Sequence, residues 1–494
     1  MQSSSRSSER YRPKVTFFFL GTVYISLGLV MLALWIASLL LREPALGFGV
    51  GAALGIGLGF GFRRLGDGRG EPSRAEALLS VAVLWLMAPP LGAIPYVLSG
   101  GMSPINALFE ATSGFTTTGA TALADFSQFG PVLLFYRSLT QWLGGVGILV
   151  LLAVVLTLLG VAGRQIFLAE NTGLQREFFA PRLRSTARNV MLVYTSLTVL
   201  AAVCYAAAGM PLFEAVCNAL STLSTAGFSP NPRSFETYPP LAQWFGVLFM
   251  FLGGSSFLLQ YRVFFRRDGK LFADTEFRVY ATIILIAGLG LTAFLYTHPN
   301  AGVNYSLSEA LRHGFFNVTS LVTTTGFVSA DYTGWAPAAQ AILVALMFVG
   351  GCAGSSTGGI RVLRWLVIGA LVRRELLRSL HPQAVVTLRI GTRPISEDVM
   401  RSVAAFVTLY VSLLAASTLL ISIAENNFVL GFTAAAQAMG NAGPGLGEIG
   451  PMGSYAGLHA FSKLVLMAQM WAGRIELIPV FLLLTPELWK RLRG

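Results

Sequence analysis

Four times along this chain a short run of small, mostly hydroxyl-bearing residues interrupts an otherwise apolar sequence and ends in glycine. The runs are Thr116-Thr117-Thr118-Gly119, Leu223-Ser224-Thr225-Ala226-Gly227, Thr323-Thr324-Thr325-Gly326 and Gly440-Asn441-Ala442-Gly443. Their glycines step by 108, 99 and 117 residues (119 to 227, 227 to 326, 326 to 443), which marks a repeated unit rather than local composition. Inside a bilayer, non-helical backbone is tolerated only where protein buries it or a watery cavity solvates it. Four such loops in one chain can form one ring of converging carbonyl oxygens.

The bilayer follows from composition. Of 494 residues, 54% are hydrophobic and 12% charged, against roughly 25% charged in soluble domains. Apolar stretches of about 20 residues begin near Val15, Ala45, Ala75, Pro131, Val190, Pro239, Val279, Ala336, Val403 and Leu458, giving ten expected spans. The first is too long, and too poorly followed by a small-residue cleavage site, to read as a removable signal peptide. A net charge of +12 raises the question of nucleic acid, and the placement of the basic residues answers it. Arg6, Arg10, Arg12 and Lys14, then Arg63, Arg64, Arg69 and Arg74, then Arg164, Arg176, Arg182, Arg184 and Arg188 fall in alternate loops. So do Arg262, Arg266, Arg267, Lys270 and Arg278, the stretch from Arg361 to Arg401, and Lys490, Arg491 and Arg493. The positive-inside rule then puts both termini in the cytoplasm and all four glycine loops outside, with no nucleic-acid partner. Cys204, Cys217 and Cys352 have no paired or metal-like spacing and read as packing residues.

The expected fold is all-α and integral to the membrane: two accessory N-terminal helices, then four pseudo-symmetric helix/pore-loop/helix repeats around one central pore. The accessory pair is 1–74, where Gly55, Gly57, Gly59 and Gly61 suit close helix packing. Repeat 1 is 75–165 with loop 116–121, repeat 2 is 166–265 with loop 223–228, repeat 3 is 266–380 with loop 323–328, and repeat 4 is 381–494 with loop 440–446. Ser103-Pro104 and Met210-Pro211 put proline at the first position of re-entrant helices, where its missing N–H costs nothing. Nine residues before each glycine stand Glu110, Asn218, Asn317 and Ala434, and six before stand Ser113, Ser221, Ser320 and Gln437. These polar residues are candidates to brace the loops from behind, or simply to cap short helices. A helix ending at each loop turns its partly negative C-terminus towards the centre, which favours a cation.

A dehydrated monovalent cation needs several uncharged oxygens, because a carboxylate ring binds too tightly and prefers divalent ions. Glycine at positive φ lets successive carbonyls point one way, and threonine or serine hydroxyls add oxygens. A second glycine series, Gly144, Gly145 and Gly147, then Gly253 and Gly254, Gly350 and Gly351, and Gly473, lies further along each repeat. In the third it expands through 350–359, too glycine-rich for a comfortable helix, so that helix is expected to break at mid-membrane. The break supplies a flexible loop below the ring, readable as a gate or as a packing kink. Arg474, at membrane depth, is a functional candidate by default: it can bond carbonyls of the broken loop, pair with Glu476, or set an electrostatic barrier. Lys463 and Arg137 are expected to snorkel or pack.

With these residues in view, the sequence resembles the Trk/Ktr/HKT superfamily of potassium transporters, in its bacterial TrkH type. The resemblance covers nearly the whole chain and is carried by Phe109 to Thr121, Gln141-Trp142-Leu143-Gly144-Gly145, Gly350 to Arg361, Asn441-Ala442-Gly443-Pro444-Gly445 and Gly473-Arg474-Ile475-Glu476. It implies a potassium filter at Gly119, Gly227, Gly326 and Gly443, since the family's sodium-selective members carry serine at the first. Filter residues would be Thr117, Thr118, Gly119 and Ala120; Thr225, Ala226, Gly227 and Phe228; Thr324, Thr325, Gly326 and Phe327; and Asn441, Ala442, Gly443 and Pro444. Potassium, the substrate, would meet backbone carbonyls of Thr117, Thr118, Thr225, Ala226, Thr324, Thr325, Asn441 and Ala442, and no cofactor is expected. The gate would comprise Gly350, Gly351, Gly354, Ser355, Ser356, Thr357, Gly358, Gly359 and Arg474. A homodimer in the bacterial cytoplasmic membrane, controlled by a cytosolic nucleotide-binding subunit of the TrkA type, is implied as well. Ala226 and Ala442 depart from the threonine pattern and leave fewer hydroxyl ligands.

Two other function classes fit less well. A solute transporter with broken helices predicts two inverted halves, whereas the repeats here are direct. An intramembrane enzyme lacks support in four dispersed histidines, His298, His313, His381 and His459, with no metal or nucleophile motif. Transport that is passive and transport coupled to protons or sodium both remain open, with Glu110, Asp125 and Glu448 as outward acidic candidates. The basic loops around Arg182, Arg267 and Arg374 are the natural docking surface for a cytosolic partner.

Overall fold

Apolar runs deprived of water satisfy their backbone groups internally, and here they do so as helices. The computed structural model describes residues 13–67, 74–158, 180–267, 269–298, 304–383, 388–391 and 393–486. Arg6, Arg10, Arg12, Arg69, Arg164, Arg176, Lys490, Arg491 and Arg493, and the boundary expected at 165/166, lie outside the described residues. The elements in order are α1 (Pro13–Leu41), α2 (Leu46–Leu65), α3 (Arg74–Gly92), α4 (Ile94–Leu98), α5 (Pro104–Phe115), α6 (Pro131–Leu158), α7 (Ala180–Ala207) and α8 (Leu212–Leu223). Then come α9 (Pro240–Gly253), α10 (Phe257–Arg266), α11 (Lys270–Ala273), α12 (Thr275–Thr297), α13 (Leu307–Val322), α14 (Pro337–Leu346) and α15 (Val362–Leu380). A small antiparallel hairpin, β1 (Arg389–Ile390) with β2 (Arg393–Pro394), precedes α16 (Glu397–Glu425), α17 (Phe428–Gly440), α18 (Ala460–Arg474) and α19 (Leu477–Leu484).

Among the described residues, seven helices are long and apolar enough to cross a membrane, or eight when α9 and α10 count as one span bent by 105°. The chain is therefore a multi-pass membrane protein, with fewer straight spans than the ten expected. The shortfall falls where the second glycine series interrupts helices. The stretch from Ala336 yields only the 10 residues of α14 before Gly350 and Gly351, and the one from Leu458 yields the 15 of α18, which carries Lys463 and Arg474. In α1 and α2, a β-carbon on Gly55 would come within 2.9 Å of Gly28 Cα, and one on Gly59 within 2.9 Å of the Gly21 carbonyl. Those two glycines allow the close crossing that their spacing suggests, whereas Gly57 and Gly61 face open space.

Four short helices, α5, α8, α13 and α17, each end at one of the glycine loops. Ser103 and Pro104 start α5 as expected, Pro211 sits one residue ahead of α8, and α13 opens on a capping box between Ser306 and Glu309. Each short helix packs on the long helix before it. The helix after it reaches the next short helix in turn: α6 packs on α8, α9 on α13, and α18 returns to α5. This return brings residues from the two ends of the chain against one centre.

Candidate functional site

The four loops share one backbone design. Thr117, Thr225, Thr324 and Asn441 are left-handed, with φ of 52°, 51°, 53° and 52°, and the glycines two residues on take 83°, 82°, 84° and 93°. The left-handed turn at a non-glycine residue is costly, and a repeated bond offsets it. Thr118, Ala226, Thr325 and Ala442 donate their N–H to the carbonyls of Ser113, Ser221, Ser320 and Gln437, at 2.9, 3.0, 2.8 and 2.9 Å. The residues six before each glycine thus brace the loops, but through their main chains. Of the set nine before, Glu110 bonds Ala122 N at 2.7 Å, and Asn218 and Asn317 bond Tyr238 and Ser329.

The loops also interlock. A β-carbon on Gly119 would overlap the carbonyl oxygen of Ala226, and one on Gly227 that of Thr325. On Gly326 it would lie 2.6 Å from the Ala442 oxygen, and on Gly443 3.2 Å from the Thr118 oxygen. Each glycine is therefore seated against the carbonyl before the next glycine, and the fourth closes on the first. Across that seam Asn441 Nδ2 donates to Thr118 Oγ1 at 2.9 Å and Tyr455 N to the Thr121 carbonyl at 2.9 Å, while within the fourth repeat Tyr455 Oη donates to the Gly443 carbonyl at 3.3 Å. Thr117, Thr118, Thr225, Thr324, Thr325, Asn441, Ala120, Phe228 and Phe327 are all buried, as is Pro444.

Of the two roles expected for Arg137 and Lys463, snorkelling or packing, both residues take the second and are buried around this ring. Arg137, 1% exposed, pairs with Glu110 at 2.8 Å, reaches the Ser229 carbonyl at 3.2 Å, and lies 4.2 Å from the Phe228 ring centre. One ion pair thereby joins the first loop to the second. Lys463 Nζ donates to Asn106 Oδ1 at 2.6 Å and to the Ala456 carbonyl at 2.7 Å. Glu110 is consequently no attractor of external cations, whereas Asp125 and Glu448 are exposed. Hydrogen bonds from the Ser127 hydroxyl and N–H hold the Asp125 carboxyl below its ordinary range, so it stays anionic.

The third repeat breaks where its glycines accumulate. Between α14 and α15 the chain turns through Gly354 and Gly359, with φ of 82° and 68°, and Gly350 N bonds the Ile360 carbonyl at 3.0 Å. Ser355, Ser356 and Thr357 are buried. The loop packs against the ring: Thr225 Oγ1 meets Ser356 Oγ at 3.2 Å, and Gly358 N donates to Thr324 Oγ1 at 2.9 Å. Gly358 is also packed on the Gly440 carbonyl. Gly351 N donates to Thr357 Oγ1 at 3.2 Å, and Arg474 Nη1 to the Ser356 carbonyl at 2.7 Å. Of the three roles open to Arg474, the first is the contact observed, because Glu476 is occupied by Arg364 at 2.7 Å and Arg361 at 3.5 Å. Glu276 clasps both limbs of the loop, its Oε1 accepting from Ala353 N at 2.8 Å and Leu363 N at 3.1 Å.

Sequence reasoning missed Glu276, Tyr455 and Asn106, and treated Gln141 only as part of a motif. The available signal was a polar side chain in or beside an apolar span, which needs a partner at membrane depth.

Residues 77–491 match the TrkH family, described as a cation transport protein. The Trk system potassium uptake protein TrkH of Salmonella typhimurium is 33% identical over 427 residues, 85% of this chain and 87% of that protein. TrkI of Halomonas elongata, also a Trk system potassium uptake protein, is 34% identical over 411 residues, 82% of each chain. The crystal structure of the potassium transporter TrkH from Vibrio parahaemolyticus superposes with a TM-score of 0.88 at 28% identity, covering 97% of this chain and 100% of that one. These are transport proteins rather than enzymes, and this chain belongs to the TrkH family of cation transport proteins.

Proposed function

We propose that the chain is the membrane subunit of a potassium uptake system, conducting through the ring of glycine loops. The observation that carries the reading is the cyclic seating of Gly119, Gly227, Gly326 and Gly443 on neighbouring carbonyls, which sets an uncharged oxygen of each loop against the glycine of the loop before it. Potassium sheds water for the carbonyls of Thr117, Thr118, Thr225, Ala226, Thr324, Thr325, Asn441 and Ala442. Ten helix segments cross the membrane in this reading, arranged as an accessory pair and four repeats, with both termini cytoplasmic in the bacterial inner membrane. The loop 350–359 bars the path beneath, and its anchors on Thr225, Thr324 and Arg474 support that role. Release comes through a cytosolic nucleotide-binding subunit of the TrkA type acting on a homodimer; the relatives' membership of Trk systems supports such a partner.

The test is cation flux into proteoliposomes holding the purified protein with its cytosolic partner, comparing potassium, rubidium, sodium and lithium, with Gly119→Ser alongside. The expected result is potassium and rubidium flux that loses its preference over sodium in Gly119→Ser. Absence of cation flux, or a preference untouched by the substitution, overturns the reading.

A further inference from the structure

The four loops are not braced alike, and the difference follows the sequence. In the first and third, the threonine before the glycine meets the hydroxyl two residues earlier: Thr118 with Thr116 at 2.8 Å, and Thr325 with Thr323 at 2.7 Å. The lower hydroxyl donates onward to the carbonyl of Thr112 or Thr319, each at 2.7 Å. Two hydroxyls thus tie the loop to its own short helix. In the second loop that threonine is Ala226, so the relay cannot form, and Ser224 Oγ only turns down to the Leu220 and Ser221 carbonyls.

A side chain from the neighbouring unit stands in its place. Gln141, on α6, is fully buried. Its Nε2 donates to the Ala226 carbonyl at 2.8 Å and its Oε1 accepts from Phe228 N at 3.0 Å. A reversed amide would set donor against donor and acceptor against acceptor, so the two bonds select one orientation. The amide spans the two peptide groups flanking Gly227, much as an adjacent strand would. Three residues before Gly144, Gly253, Gly350 and Gly473 stand Gln141, Met250, Met347 and Met470, all buried. Methionine has no donor and only a weak acceptor, so the amide bracket belongs to the second loop; the fourth, alanine-bearing at Ala442, is bonded instead through Asn441 Nδ2 to Thr118 Oγ1 and Tyr455 Oη to the Gly443 carbonyl.

We propose that Gln141 is a positioning residue for the second quarter of the filter, replacing from the adjacent unit the hydroxyl brace that Ala226 lacks. It sets the orientation of the peptides around Gly227 and with it the preference among monovalent cations. The proposal rests on the filter reading above.

The experiment compares Gln141→Met, Gln141→Glu, Ala226→Thr and the double variant Gln141→Met/Ala226→Thr in the proteoliposome assay, with Gly119→Ser as control. Gln141→Met loses both bonds and is expected to lower the potassium-to-sodium flux ratio about 5- to 30-fold, the scale of one to two neutral hydrogen bonds of about 1 kcal/mol each. Adding Ala226→Thr restores most of that ratio by rebuilding the hydroxyl relay with Ser224. Gln141→Glu keeps the acceptor for Phe228 N but sets a carboxylate oxygen against the Ala226 carbonyl, so it is expected to lower the ratio at least as far, should the methionine variant fail to fold. Ratios unchanged in both Gln141 variants, while Gly119→Ser collapses selectivity, overturn the role of Gln141 and leave the filter reading intact. A loss that Ala226→Thr does not repair overturns the exchange of one brace for the other. A ratio indifferent to Gly119→Ser overturns the filter reading beneath both.

Discussion

Replacing each ring glycine in turn by alanine tests the interlocking loops, because the structure predicts unequal outcomes from chemically identical changes. Every substitution places a side chain at φ between 82° and 93°, a backbone cost of about 1–2 kcal/mol common to all four. What differs is the neighbour. At Gly443 the new methyl would stand 3.2 Å from the Thr118 oxygen, so a shift of a few tenths of an ångström relieves it. At Gly326 the distance is 2.6 Å, and the Ala442 oxygen must yield further. At Gly119 and Gly227 the methyl overlaps the Ala226 and Thr325 oxygens, whose loops are held by backbone bonds of 3.0 and 2.8 Å from the same residues. The expected order of damage is therefore Gly119→Ala and Gly227→Ala worst, Gly326→Ala next, and Gly443→Ala mildest. Gly443→Ala keeps its potassium preference within about tenfold of the parent, a change of about 1.4 kcal/mol, whereas the first two lose discrimination. The assay is potassium and sodium flux in proteoliposomes at matched amounts of monodisperse protein. Equal damage at all four positions, or Gly443→Ala as the most severe, would show that the seating of glycine on the next carbonyl does not govern the geometry.

Three further outcomes follow from contacts around the ring. Arg474→Met removes the 2.7 Å bond to the Ser356 carbonyl, so rubidium uptake without the cytosolic partner should rise several-fold; unchanged basal uptake would remove Arg474 from the gate. Glu276→Gln preserves the oxygen that accepts from Ala353 and Leu363 and should leave basal uptake near the parent's, whereas Glu276→Ala should raise it; equal effects would count against the clasp. Arg137→Met leaves Glu110 buried and unpaired and should cost about 3–5 kcal/mol. Arg137→Met/Glu110→Gln should recover part of this in thermal unfolding in detergent, and a double variant no better than the single would contradict the pairing.

The loops were legible because their requirements are local. Positive φ at the glycines reads directly from Gly119, Gly227, Gly326 and Gly443 in their runs of small residues, whereas the left-handed residues two positions earlier, Thr117, Thr225, Thr324 and Asn441, emerged only with the structure. The break in the third repeat was legible from composition too, since each glycine from Gly350 to Gly359 costs a helix about 1 kcal/mol, although the glycine-rich α2 stays helical where Gly55 and Gly59 serve a close crossing. Helix lengths were less legible, because hydropathy ignores where a helix stops: the stretches from Ala336 and Leu458 are apolar enough, yet α14 and α18 end after 10 and 15 residues. What stayed hidden were pairings of polar groups far apart in sequence. Glu110 with Arg137 spans 27 positions, Gln141 with Ala226 spans 85, and Glu276 with Leu363 spans 87. The resemblance quoted Gln141 as part of a motif, but nothing in the residues around it announces the alanine opposite.

The seam between the fourth loop and the first has a consequence for how the protein is made. Asn441 reaches back across 323 residues to Thr118, and at roughly 5–20 residues per second translation needs about 16–65 seconds to supply that partner. Throughout this interval the first three loops can enter the membrane without enclosing a complete pathway. Ser356 precedes Asn441 in the chain, so the loop that packs on Thr225 and Thr324 is synthesised before the ring can close. If the ring is the proposed pathway and this loop its barrier, a nascent chain interrupted before Asn441 holds the barrier but no closed passage.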